Sequence, residues 1–289
     1  MPQEMRVRIW DVEHGACAMV QHVTRTLLGE HGGRLAMIDS GHGTGFRPSD
    51  YIINFMGRNR LDYLFITNAD QDHMSDLQGL WDAGIVVPVV HRNPSPSAAA
   101  MRAMKEQCGP LTRDAEKFVE ICQGFNSVIA EPFDQNMGGI TASAFWNTYP
   151  QFTDTNNLSL VVFVKYEGFK ILFPGDVERP GWRALLEQPR FRAELANTDV
   201  LVASHHGREN GFCEDIFAYF TPSCVVISDK AKMHSTQETL PDYRAVVRDE
   251  GVRVRTTGKD RHVLTTRRDG WIQFSVEGGS YYIDTEYHG

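Results

Sequence analysis

A short apolar run followed by a dense group of possible metal ligands constrains this chain more than any other feature. Residues 64–66 are apolar and predict a buried strand. Directly after it, residues 68–73 place oxygen and nitrogen donors close together, at Asn68, Asp70, Asp72 and His73. Donors on alternate residues, closed by an adjacent Asp–His pair, can converge on one or two cations. The pattern therefore favours a rigid layered scaffold in which a strand ends at a metal site.

Composition narrows the class of protein. Of the 289 residues, 42% are hydrophobic and 23% are charged, which is ordinary for a globular protein. No apolar run approaches the ~20 residues of a membrane-spanning helix, and the first residues show no signal-peptide pattern. The five cysteines are scattered, so we expect reduced thiols in a cytoplasmic protein with no membrane partner. The net charge of −8 means that overall charge does not favour nucleic-acid binding.

Local periodicity predicts alternating strands and helices. Strands are expected at 7–9, 16–20, 35–38, 61–66, 85–87, 140–145, 159–164, 170–173, 200–203, 224–227 and 252–255, with a closing hairpin of 263–266 and 271–276. Helices are expected at 50–58, 74–81, 98–107, 112–122, 182–187 and 240–249. A cluster of Pro, Ser and Asn at 93–97 opens the region of the third and fourth helices, and it predicts a helical insertion at about 92–123.

The order of these elements predicts the fold class. Two successive blocks, each of strands followed by helices, indicate an α/β protein with two sheets packed face to face and helices outside. We expect one domain over residues 1–289, with the helical insertion over one edge of its core.

Five segments place metal-competent side chains just after an apolar run. The side chains in question are Asp39, the group at 68–73, Asp176, the pair His205 and His206, and His234. Loops at strand ends gather into one cleft in layered folds, so we expect these side chains to lie near one another. Taken singly, each has a plainer interpretation: the carboxylates at 70 and 72 can cap the following helix, Asp176 can belong to an ordinary turn, and the histidines can be structural.

The segments, in this order, resemble the metallo-β-lactamase superfamily. Within it they are most similar to the domain of the ComEC-type DNA-uptake channel protein and its stand-alone relatives. The matching motifs are WDVEHGA at 10–16, IDSG at 38–41, NADQDH at 68–73, NNLSLV at 156–161, PGD at 174–176 and SHHG at 204–207. The resemblance implies a four-layer αββα sandwich and a metal-dependent hydrolase. The chain departs from it at Asn68 and Asp70, where the His-x-His-x-Asp-His signature has histidines.

The resemblance also implies a site. One cation would be held by Asp72, His73, a bridging Asp176 and His234. His206 is a further candidate ligand, and the sequence leaves open which of His205 and His206 binds the metal. A second cation at Asn68 and Asp70 would bind more weakly, because an amide carbonyl is a poorer ligand than imidazole. Asp39 would hold the metal loops by hydrogen bonds. The nucleophile would be a metal-activated water oriented by Asp72, and His205 or His206 would protonate the leaving group.

These implications lead to three functional hypotheses. The first is a phosphodiesterase or nuclease acting on DNA, RNA or a nucleotide, with one or two divalent ions, Zn²⁺ or Mn²⁺. The second is a degenerate scaffold that binds a partner protein encoded in the same operon and catalyses nothing, for which Asn68 is the best support. The third is a hydrolase of small esters or thioesters.

Overall fold

Two β-sheets form the centre of the molecule. The computed structural model describes residues 3–125, 133, 135–230 and 239–287. In chain order its strands are β1 (Gln3–Ile9), β2 (Ala18–Thr26), β3 (Gly29–Ile38), β4 (Tyr63–Phe65), β5 (Val90–His91), β6 (Thr141–Trp146), β7 (Leu160–Tyr166), β8 (Phe169–Phe173), β9 (Val200–Val202), β10 (Cys224–Ile227), β11 (Val252–Val254), β12 (Lys259–Arg261), β13 (Val263–Thr265), β14 (Ile272–Glu277) and β15 (Ser280–Thr285). Within these described ranges, one sheet has nine strands in the order β12-β11-β15-β14-β1-β2-β3-β4-β5, and the other has six in the order β13-β10-β9-β8-β7-β6.

Helices come between the strands. They are α1 (Pro48–Asp50), continued by the π-helical Tyr51–Phe55, then α2 (Gln71–Met74), α3 (Leu77–Asp82), α4 (Ala98–Glu106), α5 (Arg113–Gly124), α6 (Arg179–Leu186), α7 (Pro189–Leu195), α8 (Leu240–Ala245) and α9 (Thr266–Asp269), with short 3-10 turns at Gln135–Met137 and Glu214–Ala218. Several of the helices, such as α3 to α7, cover the outer faces of the two sheets. No helix in the described part of the chain is both long and apolar enough to cross a membrane.

Alternate residues of the central strands face two different cores. In β7, Leu160 and Val162 face the core between the two sheets, whereas Val161 and Phe163 face α6 and α7. In β3 the same period of two divides the side chains between the inner core and the helices α3 to α5. Strands that are buried on both faces require helices on the outside. The predicted α/β class, with four layers in the order αββα, is therefore confirmed.

Two helices lie where the sequence predicts the helical insertion, and that they are an insertion stays a prediction. Helices α4 and α5 pack on the outer face of the nine-stranded sheet through residues such as Met101 and Phe118. Ser97 and Thr112 cap the two helices by accepting hydrogen bonds from backbone N–H groups three residues ahead. The expectation of one domain over residues 1–289 stays a prediction.

Two predicted elements are wrong. The run 85–87 forms only an isolated bridge from Val86 to Arg60, and the edge strand β5 lies further along the chain. The predicted closing hairpin of 263–266 and 271–276 does not form, because β13 belongs to the six-stranded sheet and β14 to the nine-stranded one. Helix α9 connects them, and β14 forms its hairpin with β15 around Gly278 and Gly279, both with positive φ.

Parallel pairing brings the ends of several strands to one edge. β3 runs parallel to β4 in one sheet, and β8, β9 and β10 run parallel in the other. At this edge the backbone N–H of Leu160 donates to the carbonyl of Thr67 at 2.7 Å, which joins the two sheets. The loops that follow these strands therefore face one another across the sandwich.

Candidate metal centre

Four side chains from three strand ends converge at this edge. Asp72, His73, Asp176 and His206, called here the four-residue cluster, each place one ligand atom within 4.8 Å of the others. His73 Nε2 lies 3.0 Å from Asp176 Oδ1, and His206 Nε2 lies 3.2 Å from Asp72 Oδ2 and 3.6 Å from Asp176 Oδ1. Three of the four are buried and Asp72 is half-buried. The sequence predicts all four as ligands, and the structure brings them together.

Asp72 and His73 lie in the first turn after β4. The helix predicted at 74–81 would begin after the ligands. In the structure, α2 begins at Gln71 and contains both of them, and the chain bends at Asp76 before α3. The backbone carbonyl of Asp72 accepts from Ala16, and that of His73 accepts from Ser40 at 2.8 Å. Backbone contacts to two neighbouring loops thus fix the position of this turn.

Two glycines allow these loops to approach so closely. A Cβ atom added to Gly15 or to Gly41 would lie 2.5 Å from the carbonyl oxygen of Asp72. That distance is far inside van der Waals contact, so a side chain at either position would displace the ligand-bearing turn.

Asp39 orients the ring of His73. It lies at the end of β3 with φ +61°, an uncommon backbone conformation for a residue other than glycine. Its carboxylate accepts hydrogen bonds from the backbone and side chain of Thr67 and, at 2.9 Å, from Nδ1 of His73. With Nδ1 donating to a carboxylate, Nε2 points into the cluster, which is how many proteins orient a metal-binding histidine.

His206 is oriented in the same way from the opposite sheet. Ser204–Gly207 is a tight turn in which His205 and His206 have φ of +51° and +54°. The Nδ1 atom of His206 donates to the carbonyl of Ser228 at 3.1 Å. Its Nε2 is buried and makes no hydrogen bond, although the carboxylate of Asp72 is near. A buried polar atom of this kind is costly unless a partner satisfies it.

The charges of the cluster favour a cation. Burial raises the pKa of Asp176, but the neighbouring His73 and His206 lower it to about 2. Burial also raises the pKa of Asp72, while the contact with His206 and the charge of His73 bring it well below its usual value. Both carboxylates are thus ionised at neutral pH.

The two imidazoles respond to these carboxylates. Burial lowers the pKa of His73, but the charges of Asp176 and Asp39 raise it well above its usual value. His206 follows the same pattern, with burial opposed by Asp176, and its pKa is raised. The carboxylates of the cluster therefore stabilise positive charge beside them. Either protons on the two imidazoles or a bound divalent cation can supply that charge.

The donor set fits a divalent cation. Two imidazole nitrogens and two carboxylate oxygens suit Zn²⁺ or Mn²⁺, and both histidines present Nε2 with Nδ1 already bonded. A cavity of about 30 Å³ adjoins the cluster and is lined by His73, Asp176 and His206 among others. That volume is enough for an ion or one water molecule.

Asn68 and Asp70, predicted as ligands, lie outside the cluster and have other partners. Asn68 Oδ1 accepts from the backbone N–H of Asp70 at 2.9 Å, and its Nδ2 donates to Asn156 at 3.1 Å. Asp70 is paired with Lys105 of α4 at 2.8 Å. Asp70 is thus not one of the four residues that could hold one ion, because its carboxylate faces the helical insertion.

The remaining predicted residues have different outcomes. His205, a candidate proton donor, flanks the cluster, and burial lowers its pKa. Its Nδ1 makes no hydrogen bond, and its Nε2 lies 3.4 Å from the guanidinium of Arg208. His234 falls outside the described residues, so its part as a ligand stays a prediction.

Three residues that sequence reasoning did not assign line the site. His14 Nε2 lies 3.5 Å from Asp72 Oδ2, and its ring centroid is 4.6 Å from that of His206. Arg208 Nη2 lies 3.2 Å from His14 Nε2. Lys105 contacts Asp70 from the insertion. His14 lies in the opening motif at 10–16 and Arg208 directly follows SHHG, so the neighbouring motifs could have indicated that both lie near the site. No motif lies beside Lys105 in the sequence.

The comparison with protein families agrees with this site. The sequence model of the Metallo-beta-lactamase superfamily matches residues 21–207, which is more than half of the chain. The chain belongs to the metallo-β-lactamase superfamily. The superfamily consists generally of hydrolytic metalloenzymes, and the fold implies divalent metal ions. The finer resemblance to the ComEC-type group stays a prediction.

Solved structures also resemble this metallo-β-lactamase-fold chain. The E377D mutant of CmlA β-hydroxylase is 14% identical with a TM-score of 0.48, and the match covers 94% of this chain and 54% of that one. The diiron β-hydroxylase CmlA from Streptomyces venezuelae is 16% identical, with a TM-score of 0.42 and coverage of 86% and 47%. A long-form RNase Z from yeast is 10% identical, with a TM-score of 0.38 and coverage of 81% and 38%.

The chain spans only about half the length of the CmlA chains that it matches, and less of the RNase Z. A search of curated proteins finds no match.

Proposed function

We propose that this protein is a metal-dependent hydrolase that cleaves a phosphodiester bond in DNA, RNA or a nucleotide. The observation that carries the proposal is the convergence of two carboxylates and two imidazoles on one point, with a buried Nε2 of His206 that makes no hydrogen bond. Burial of charge is costly unless it is compensated, and a bound cation would compensate the two carboxylates of this cluster, one buried and one half-buried.

The four-residue cluster would hold a Zn²⁺ or Mn²⁺ ion, with Asp39 and the Ser228 carbonyl fixing the two histidines. When bound, the ion would supply Lewis-acid chemistry: activation of a water molecule at neutral pH and neutralisation of charge on the scissile group. The protein's own part is to keep both Nε2 atoms directed inward and both carboxylates ionised.

The preference for a phosphodiester rests on Arg208. Its guanidinium reaches the site between His14 and His205, at 3.2 Å and 3.4 Å. Among the described residues it forms no ion pair with a carboxylate, so its positive charge is not compensated by a nearby acid. Burial lowers the pKa of His14 to about 4, so at neutral pH the ring is neutral and can accept a hydrogen bond from the guanidinium. A planar guanidinium with free donors suits the oxygens of a phosphate.

Two further expectations belong to this proposal. The resemblance of six motifs to the ComEC-type DNA-uptake domain supports nucleic acid as the substrate, and a partner protein would aid binding because the chain is acidic. The scattered cysteines support a cytoplasmic location.

The test combines metal analysis with cleavage assays. Protein purified without chelator would be assayed on single-stranded DNA, double-stranded DNA and RNA with added Mn²⁺ or Zn²⁺. The variants are Asp176→Asn and, as a matched control, the exposed Asp82→Asn. We expect bound metal and cleavage for the wild type and Asp82→Asn, and at least a ~100-fold loss of cleavage for Asp176→Asn.

The other outcomes separate the rival hypotheses. A wild type that binds neither ion in excess would refute the hydrolase and support a non-catalytic scaffold. Bound metal together with hydrolysis of small esters, and no cleavage of nucleic acid, would replace the proposed substrate class.

A further inference from the structure

The strand end that carries the four-residue cluster also carries Asp70, whose carboxylate faces a lysine. We propose that Lys105, presented by the helical insertion, takes the place of a second cation, so that the centre binds one divalent ion and not two. The inference rests on the proposed metal-dependent function and concerns the number of ions at that same site.

Asp70 already has a positive partner. Lys105 Nζ lies 2.8 Å from its Oδ1, and the Thr155 hydroxyl donates to the same oxygen at 3.0 Å. The lysine side chain is only 14% exposed, and it comes from the last turn of α4. One ammonium and one hydroxyl thus supply the charge and the hydrogen bonds that a cation at Asp70 would otherwise supply.

Asn68 has no oxygen directed to an ion either. Its carbonyl oxygen accepts from the backbone of Asp70, and its amide donates to Asn156. Asn156 in turn donates to Glu178 at 3.0 Å, and Asn210 donates to the same Glu178 oxygen. This chain of hydrogen bonds fixes the buried Asn68 amide in one orientation, and turning it would break two bonds at once.

The insertion holds Lys105 firmly. Asp114 of α5 accepts from the Gln71 side chain and from the backbone N–H of Gln78, which ties the insertion to α2 and α3. Arg102 of α4 pairs with Glu116 of α5. Because the helix cannot withdraw without breaking these contacts, a divalent ion at Asp70 would meet the ammonium and be repelled.

The experiment counts ions. Wild type, Lys105→Met and the matched control Lys117→Met, a lysine of the neighbouring helix that pairs with Glu120, would be dialysed against Mn²⁺ or Zn²⁺ and analysed by elemental mass spectrometry. We expect about one equivalent for wild type and Lys117→Met, and a second, more weakly bound equivalent at Asp70 for Lys105→Met at saturating metal. Electron paramagnetic resonance of the Mn²⁺ forms should show isolated ions in wild type and a coupled pair in Lys105→Met.

Each result decides the matter. Two equivalents in the wild type would overturn the inference while leaving the hydrolase intact, and so would one equivalent in Lys105→Met at saturating metal. No bound metal in any form would overturn both this inference and the proposed function. If Lys105→Met fails to fold, Lys105→Gln and the wild-type count still decide between one ion and two.

Discussion

Two halves of one six-residue segment meet different surroundings. In the first half, Asn68 and Asp70 are bonded to other protein groups, through Asn156, Lys105 and the Asp70 backbone itself. In the second half, Asp72 and His73 face two further metal-competent side chains across the sandwich. Asp70 and Asp72 offer the same donor group, so what separates these two carboxylates is whether the fold already compensates their charge.

This difference shows that a metal site requires carboxylates whose charge the protein leaves uncompensated, in addition to suitable ligand atoms. Asp70 is 35% exposed in its side chain and has an ammonium beside it, so water and lysine share its charge. Asp176 is buried, and in the described part of the chain its positive partners are the imidazoles of His73 and His206. A carboxylate pair held by imidazoles alone leaves charge to be satisfied by protons or metal, whereas a carboxylate paired with lysine does not.

The most direct test of this difference is to make the same substitution in each half of the segment and to compare the metal affinities. Asp72→Asn should lower metal affinity at least ~100-fold, because it removes a ligand, whereas Asp70→Asn should change it less than about threefold, because it removes only a partly exposed ion pair. Competition with a chromogenic chelator measures both. Equal losses in the two variants would show that the halves are not distinct.

A second prediction concerns how the metal affinity of the four-residue cluster depends on pH. The pKa values of His73 and His206 are raised in the metal-free protein, so protons must leave as the ion binds. Below those pKa values protons compete, and affinity should rise with pH between about 6 and 8, by up to ~tenfold per displaced proton per pH unit.

Asp72 and Asp176 contribute nothing to this slope, since their pKa values are lowered and both remain ionised. Calorimetry in buffers of different ionisation enthalpy counts the protons released. An affinity that does not change with pH would mean that the imidazoles are not ligands.

The smallest effect concerns the backbone that supports the second half. Gly41→Ala would place a Cβ atom 2.5 Å from the Asp72 carbonyl oxygen and 2.7 Å from that of Ala16, so the free energy of unfolding should fall by roughly 1–3 kcal/mol. Gly45→Ala, where nothing lies within 4 Å, is the matched control and should stay within about 0.5 kcal/mol. Denaturant unfolding measures both, and a neutral Gly41→Ala would show that the loops can shift.

Much of the fold was predictable because its strands are strongly patterned. Residues 160–164 of β7 and 224–227 of β10 are apolar throughout, and strands buried on both faces have that composition. The two helices at 98–106 and 113–124 were predictable because the Pro, Ser and Asn cluster at 93–97 precedes them, and Ser97 and Thr112 cap them in the structure. The closing hairpin was wrong because periodicity identifies strands but does not assign them to a sheet. Residues 263–265 pair with β10 in one sheet, whereas 272–277 pair with β1 and β15 in the other.

The four ligands of the candidate site were predictable from the sequence, but which neighbouring residues are excluded from it was not. Asp72, His73, Asp176 and His206 follow apolar runs, which marks them in the sequence. The distinction between His205 and His206 was left open, because adjacent residues differ in direction only through backbone angles that the tight turn imposes. No sequence pattern indicated a role for Lys105, because that role depends on where the insertion packs.

By itself the sequence determined the layered class of the protein, the strand ends at which ligands gather, and the residue types that suit a divalent cation. The tertiary structure alone decided which of those ligands meet, which histidine of the pair faces inward, and that a lysine stands at Asp70. The physical reason is that strand and helix patterns are local, whereas the charge balance of a buried group depends on side chains that only long-range packing brings into contact.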